Sequence, residues 1–169
     1  MKKYFFAFAI MLLASASTLS AQRIAVVDIN QVLESLPQYQ EAQNELDKVA
    51  ATWRQEIARE YDVIKSMYNK YQAEQVLLSD EVRKQREEEI VNKEKSVREM
   101  QKQRFGPEGA LFKRRQSLVQ PIQDRVYSVI EDYANSKDFD FILDKGSAAG
   151  LLFVNARFDK TEDIIDRVN

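Results

Sequence analysis

The sequence predicts an α+β protein: a long antiparallel α-helical coiled-coil hairpin arm attached to a small β-containing body that oligomerises. Two observations point to this fold class. Residues 38–105 contain neither glycine nor proline and consist mostly of strong helix formers. Short apolar runs rich in β-branched or aromatic residues lie near both ends of the chain, as is typical of strands. We predict that the body comprises residues 22–36 and 110–169, and that the arm comprises residues 37–109.

The N-terminus has the three-part layout of a secretory signal peptide. Lys2 and Lys3 precede an apolar run over residues 4–13, and small residues follow as far as Ala21. A retained membrane anchor is the competing interpretation, but spanning a bilayer takes about 20 apolar residues. We therefore predict an exported, periplasmic protein cleaved after Ala21, with Ala14-Ser15-Ala16 as the alternative cleavage site.

The composition excludes several classes of function. The chain has no cysteine and no histidine, which excludes disulfides, most zinc and transition-metal sites, and the Ser–His and Cys–His pairs of covalent hydrolases. Without residues 1–21 the chain carries 23 basic and 27 acidic residues, a net charge of −4, which argues against nucleic-acid binding. Lys145-Gly146-Ser147 lacks the upstream glycine of a phosphate-binding loop. We expect no enzyme activity and no cofactor.

The first elements after the signal peptide are a strand and a short helix. Ile24-Ala25-Val26-Val27 is an unbroken apolar run of the kind found in strands buried on both faces. Asn30 is predicted to cap the helical turn that follows, and Pro37 suits the first turn of a longer helix.

The long helical segment carries a coiled-coil seam. Its apolar residues recur at steps of three and four, with three successive steps of four that locally unwind a supercoil. The seam comprises Tyr39, Ala42, Leu46, Val49, Trp53, Ile57, Tyr61, Ile64, Tyr68 and Tyr71.

The segment is predicted to fold back on itself, with the tip of the hairpin near residues 77–81. Ser79, followed by Asp80 and Glu81, has the pattern of a helix start. Residues 34–62 hold seven acids and three bases, whereas residues 93–115 hold eight bases and three acids. A hairpin places these two stretches side by side, so that ion pairs fix its register more than its stability.

Two groups of residues in the arm are candidates for function. The first is an aromatic row formed by Tyr61, Tyr68 and Tyr71, with Met67 between them. Its more ordinary role is seam packing within the hairpin, and an adaptable surface for apolar client segments is the alternative. Gly106, Pro107 and Gly109 interrupt the helix, either as a simple kink or as a hinge between arm and body. The candidate client-contact residues are Tyr61, Met67, Tyr68, Tyr71, Leu77 and Leu78.

The C-terminal quarter is predicted to complete the body. Phe139, Phe141 and Leu143 alternate with acids, residues 146–150 form a turn, residues 151–154 form a buried strand, and a helix starts near Thr161. A body of this size is too small for one core to stabilise comfortably, so we expect it to oligomerise. Its predicted core and oligomer contacts are Ile24, Val26, Phe141, Leu143, Leu152 and Phe153.

Several of these segments together resemble the Skp/OmpH-like family of periplasmic chaperones. The likeness covers the whole chain after the signal peptide. Each motif alone is weak evidence for the family, whereas the order and spacing of the motifs together are specific to it. The segments are Ile24-Ala25-Val26-Val27-Asp28, Asp140-Phe141-Ile142-Leu143-Asp144, Gly150-Leu151-Leu152-Phe153 and Asp159-Lys160-Thr161-Glu162-Asp163-Ile164-Ile165.

The resemblance implies a jellyfish-like homotrimer whose strands join in a central body and whose three arms enclose a cavity. It also implies ATP-independent capture of unfolded outer-membrane proteins. Family members that bind lipopolysaccharide and membranes are basic, whereas this chain is acidic, so lipid binding is not carried over. A structural coiled-coil spacer or adaptor of the cell envelope, with one fixed partner, is the alternative function.

Overall fold

The computed structural model describes residues 22–147 and 151–169. The predicted signal peptide, its cleavage site and residues 148–150 of the predicted turn lie outside these residues. In chain order the described elements are strand β1 (Ile24–Val27), helices α1 (Ile29–Ser35), α2 (Pro37–Glu74), α3 (Asp80–Phe105) and α4 (Ala110–Ser136), strand β2 (Phe141–Asp144), a 3₁₀ turn (Ala156–Phe158) and helix α5 (Thr161–Val168).

The chain divides into two compact units. The arm unit consists of residues 33–127, and the body unit consists of residues 22–32 with the described part of residues 128–168. The predicted boundary at residue 110 differs from this division, because Leu111, Leu118 and Ile122 of α4 pack against the cluster formed by Ala42, Leu46 and Val119.

In the arm unit, α3 runs back along α2. Ser79 caps α3, since its side chain accepts a hydrogen bond from the backbone N–H of Val82, and Pro37 occupies the first turn of α2. Of the ten residues of the seam predicted for α2, four are buried, four are partly buried, and Tyr61 and Tyr68 are exposed. Ala50, which the prediction left out, is buried, whereas Val49 is only partly buried. The buried residues of α2 are Ala42, Leu46, Ala50, Ile57 and Ile64.

The break between α3 and α4 depends on two glycines. A Cβ atom on Gly106 would lie 2.4 Å from the carbonyl oxygen of Lys102, and one on Gly109 would lie 2.8 Å from that of Arg104. Both distances are shorter than any side chain tolerates, so the turn that joins α3 to α4 requires glycine at these two positions.

In the body unit, β1 and β2 form a parallel pair in which Ile24 lies opposite Phe141 and Val27 opposite Asp144. A single bridge joins Val26 to Asp159 on the other edge of β1. The buried residues of this unit are Ala25, Val26, Val27, Val32, Tyr133, Thr161, Ile164 and Val168.

Two local predictions for the body unit are wrong. Residues 151–154 do not form a strand in this chain, since the apolar run finds no backbone partner among the described residues. Helix α1 starts one residue before Asn30, and its cap is Asp28, whose carboxylate accepts a hydrogen bond from the backbone N–H of Gln31 at 3.1 Å.

Candidate functional site

The predicted client-contact residues form a discontinuous surface along the distal half of the α2–α3 hairpin. Leu77 at the tip is 84% exposed, and Tyr61 and Tyr68 on α2 are 44% and 40% exposed. Met67, Tyr71 and Leu78 are partly buried. The surface therefore offers Leu77 almost entirely to solvent, and the other side chains only in part.

The three tyrosines are also hydrogen-bonded across the hairpin. The hydroxyl of Tyr61 bonds to the Gln101 side chain at 3.4 Å, and that of Tyr68 donates to Glu94 at 2.9 Å. Tyr71 donates to Glu87 in the same way. We call these three contacts the tyrosine bridges.

The tyrosine bridges change the chemistry of two phenols. The hydrogen bond to Glu94 raises the pKa of Tyr68, and burial and the charge of Glu94 raise it further. The pKa of Tyr71 is raised by its bond to Glu87, again with burial and the carboxylate charge as smaller causes. Both phenols therefore remain neutral donors at physiological pH.

The tip of the hairpin carries an exposed apolar residue that the sequence analysis did not single out. Val76, which was not singled out, is 84% exposed beside Leu77. Met67, Tyr71 and Leu78 line a small cavity of about 50 Å³ directly below the tip. Because the loop over residues 75–79 contains no glycine, proline or asparagine, turn composition gave no signal for Val76.

The hairpin is held together by an apolar cluster and by ion pairs. Ile57, Ile64 and Val97 form the cluster, and Met100 and Phe105 pack against it. Three ion pairs join the acidic stretch to the basic stretch, which confirms the pairing predicted from the charges. They are Glu60–Lys93, Glu56–Arg104 at 2.5 Å and Glu45–Arg114 at 2.5 Å.

The break that follows α3 borders an open groove of about 590 Å³. Gly106, Pro107 and Gly109 line it together with charged side chains such as Lys102 and Lys113. The close backbone approach at both glycines accounts for a kink, and a hinge motion at these residues stays a prediction.

Most of the predicted core residues of the body unit are exposed within a single chain. Val26 is buried, whereas Phe141 is 53% exposed, Leu152 98% and Phe153 81%. Ile24 and Leu143 are also exposed. A soluble monomer seldom presents such a collection of large apolar side chains, and patches of this kind mark interaction surfaces.

Lys145, which resembled part of a phosphate loop, has a structural role here. Its ammonium donates to Asp159 at 2.8 Å and lies 3.9 Å from the carboxylate of Asp28. Asp159 also accepts hydrogen bonds from the backbone N–H and the hydroxyl of Thr161, at 3.0 and 2.6 Å. This network ties the ends of β1 and β2 to the start of α5.

The network fixes the protonation of its members. Burial opposes ionisation of Asp159, but hydrogen bonds from Lys145 and Thr161 outweigh it and lower the pKa of Asp159 to about 2. The hydrogen bond to Asp159 raises the pKa of Lys145, although burial acts in the opposite direction. The contacts among Asp28, Lys145 and Asp159 could not be predicted from the sequence, because these residues are not neighbours along the chain.

The described residues include no group of side chains suited to hold a metal ion. None of the helices within residues 22–147 and 151–169 is long and apolar enough to cross a membrane.

Comparison with known proteins places these features in context. Residues 23–168 match the family described as "Outer membrane protein (OmpH-like)". The fold is similar to the crystal structure of a "putative outer membrane chaperone (OmpH-like)" from Caulobacter crescentus CB15, with a TM-score of 0.68 at 10% identity. That match covers 89% of this chain and 86% of the other. No curated protein sequence matches the chain.

Proposed function

The chain belongs to the OmpH-like family, and from this premise we propose that it is an ATP-independent holding chaperone that binds unfolded outer-membrane proteins. The family is a chaperone family rather than an enzyme family, so the chain has a chaperone-type role in the periplasm and no enzymatic one. The proposal concerns what it holds and how it does so.

One observation carries the proposal: the distal hairpin exposes apolar side chains that its own packing does not use. Val76 and Leu77 project from the tip, and the rings of Tyr61 and Tyr68 remain partly exposed although their hydroxyls are bonded. Aromatic rings with one polar end accept varied apolar partners without requiring a fixed geometry. Many weak contacts of this kind would keep a client loose enough to be released by mass action.

We further infer that the body units associate, as a homotrimer, through β2 and residues 151–154. The outer edge of β2 has no strand partner among the described residues, and the apolar side chains of Leu152 and Phe153 are almost fully exposed. An unpaired strand edge beside exposed apolar residues favours association between chains. Clients would then be held in the cavity between the arms.

The proposal predicts that the distal hairpin is needed for holding and the body unit is not sufficient. Residues 60–100 are replaced by a short glycine-serine loop that joins Arg59 to Gln101. This deletion keeps both members of the Glu56–Arg104 ion pair. The truncated protein should remain oligomeric but should no longer prevent light scattering when a urea-unfolded β-barrel protein is diluted. Full activity of the truncated form would place the function in the body unit.

A point variant tests the same surface without shortening the arm. Replacing Val76 and Leu77 together by serine should weaken holding at least about threefold, since each side chain loses part of the ~1.5–3 kcal/mol that full burial provides. Replacing the exposed neighbour Gln75 by serine is the matched control and should change nothing. Equal loss in both variants would contradict a role for apolar contact.

A structural spacer with one fixed partner is the second candidate function. The tyrosine bridges and the buried cluster of Ile57, Ile64 and Val97 favour it, because they make the middle of the hairpin a defined structure. A spacer would bind one partner at a fixed stoichiometry and would not suppress the aggregation of unrelated unfolded proteins.

A further inference from the structure

The body unit contains a basic, aromatic concavity at the start of β1, formed by side chains that the proposed holding function does not use. It has a volume of about 560 Å³ and is open to solvent. Its walls come from the first residues of β1, from the approach to β2 and from the 3₁₀ turn. The side chains that matter are Arg23, Ile24, Phe139, Arg157, Phe158 and Lys160.

The charge of this concavity is opposite to that of the chain as a whole. Three cationic side chains line it and no acid does. Among the described residues, no carboxylate lies within 4 Å of the charged groups of Arg157 or Lys160, and Arg23 has only a 3.7 Å contact with the largely exposed Asp138. The charged groups of Arg157 and Lys160 therefore have no ion-pair partner among the described residues and can bind an external anion, whereas Arg23 already contacts Asp138.

The cationic side chains are positioned by rings and by the backbone. The guanidinium of Arg23 lies 5.5 Å from the ring centre of Phe139, and that of Arg157 lies 4.6 Å from the ring centre of Phe158. The backbone N–H of Lys160 donates to Val26 at 2.9 Å. The ring contacts orient the two guanidinium groups before a ligand arrives, which lowers the entropy cost of binding, and the backbone hydrogen bond fixes the main chain at Lys160.

One residue of β1 at the concavity, Ile24, has backbone groups without a hydrogen-bond partner among the described residues. The carbonyl oxygens of Arg23 and Val27 accept hydrogen bonds from the β2 side, and that of Val26 accepts one from Lys160 on the opposite edge. By the alternation of a strand, the backbone N–H and C=O of Ile24 point to this opposite edge. No described residue pairs with them there.

We propose that this concavity binds the carboxylate end of an extended polypeptide. The free backbone groups of Ile24 would pair with the peptide main chain, while Arg157 and Lys160 would neutralise its carboxylate. The exposed face of Phe158, itself 37% accessible, would receive an apolar or aromatic terminal side chain. The unpaired strand edge favours a peptide over a phosphate group, because a phosphate would not use Ile24.

The test uses the protein without its predicted signal peptide, residues 22–169. The ligand is a rhodamine-labelled eight-residue peptide of alternating threonine and valine that ends in phenylalanine. Fluorescence anisotropy compares this peptide, which has a free carboxylate, with the same peptide carrying a C-terminal amide. The free acid should bind at least about tenfold more tightly, as expected for a charge-assisted contact. Arg157→Ala and Lys160→Ala should each weaken its binding about fivefold.

Two further variants control for fold and for general charge. Lys137→Ala removes an exposed cation of the same unit outside the concavity and should leave the affinity unchanged. Arg157→Lys keeps the charge and should retain most of the binding. Thermal unfolding followed by circular dichroism identifies any variant that fails to fold.

Four results would overturn the proposal. Equal binding of the acid and amide peptides would show that the carboxylate is not recognised. Inorganic phosphate that binds as tightly as the peptide would indicate a general anion site. Loss of binding to phosphatidylglycerol vesicles in Arg157→Ala would assign the surface to lipid headgroups, and a change in oligomer mass in that variant would assign it to a contact between copies. Arm variants that lose holding activity leave this site unaffected, so the two proposals fail separately.

Discussion

Replacing Leu152 by aspartate should dissociate the oligomer or unfold the body unit. The side chain is 98% exposed in a single chain, so the same change in a monomer would alter the free energy of unfolding by no more than about 0.5 kcal/mol. If body units associate through this segment, Leu152 is buried between chains. Removing it then forfeits about 1.5–3 kcal/mol, and burying an unpaired carboxylate adds several kcal/mol more.

Such a loss is large enough to measure at ordinary protein concentrations, because every 1.4 kcal/mol changes the dissociation constant about tenfold. Light scattering coupled to size-exclusion chromatography gives the mass, and denaturant unfolding gives the stability. Leu77→Asp is the matched control, since that side chain is 84% exposed but lies at the tip of the arm unit. A Leu152→Asp protein with the mass and stability of the wild type would refute association through this segment.

Two other predictions concern the separate units. Ile64→Ala should destabilise the hairpin by about 2 kcal/mol and speed amide hydrogen exchange in α3, because it removes a buried member of the cluster of Ile57, Ile64 and Val97. The matched control is Val63→Ala at the exposed neighbouring position, which should change neither the stability nor the exchange rates. Asp159→Asn should lower the free energy of unfolding by about 1–2 kcal/mol at pH 7 and by almost nothing at pH 2. The reason is that the pKa of Asp159 is lowered to about 2 in the folded protein. Its carboxylate therefore stabilises the fold above the ordinary pKa of aspartate, and this contribution is lost as the pH falls towards 2. Equal exchange rates in the two arm variants, or a pH-independent effect at Asp159, would contradict these accounts.

The features that could be predicted from the sequence are those that depend on local pattern or on long periodic segments. The absence of helix breakers over residues 38–105 predicted the helices, and the cap at Ser79 predicted where α3 begins. The segregation of acids and bases predicted contacts between residues that lie 33 to 69 positions apart, of which Glu45–Arg114 is the longest. A hairpin has only one register variable, and a charge pattern is enough to set it.

The features that were missed depend on partners that the local sequence does not specify. Residues 151–154 have the apolar character of a strand, but strand formation requires a second backbone, and none of the described residues supplies it. Lys145 gave no local sign of its role, because its partners Asp28 and Asp159 are brought to it by the fold and not by neighbouring sequence. The carboxylate candidate site was missed for the same reason, since Arg23 and Arg157 come from opposite ends of the body unit's sequence.

The tyrosine bridges suggest how one hairpin can be both defined and adaptable. A dry seam would use the aromatic rings for packing and leave little apolar surface for a client. Here the polar ends of Tyr68 and Tyr71 are bonded to Glu94 and Glu87, so hydroxyl groups at the edge of the rings add contacts between the helices to those of the ion pairs and the apolar cluster. The ring of Tyr68 remains 40% exposed although its hydroxyl is bonded. Because buried apolar contacts are few beyond Ile90, the distal hairpin lies at the low end of local stability, and it can shift its side chains at small cost. Under the proposed function, a client contact at Tyr68 would add to the packing of the hairpin instead of competing with it.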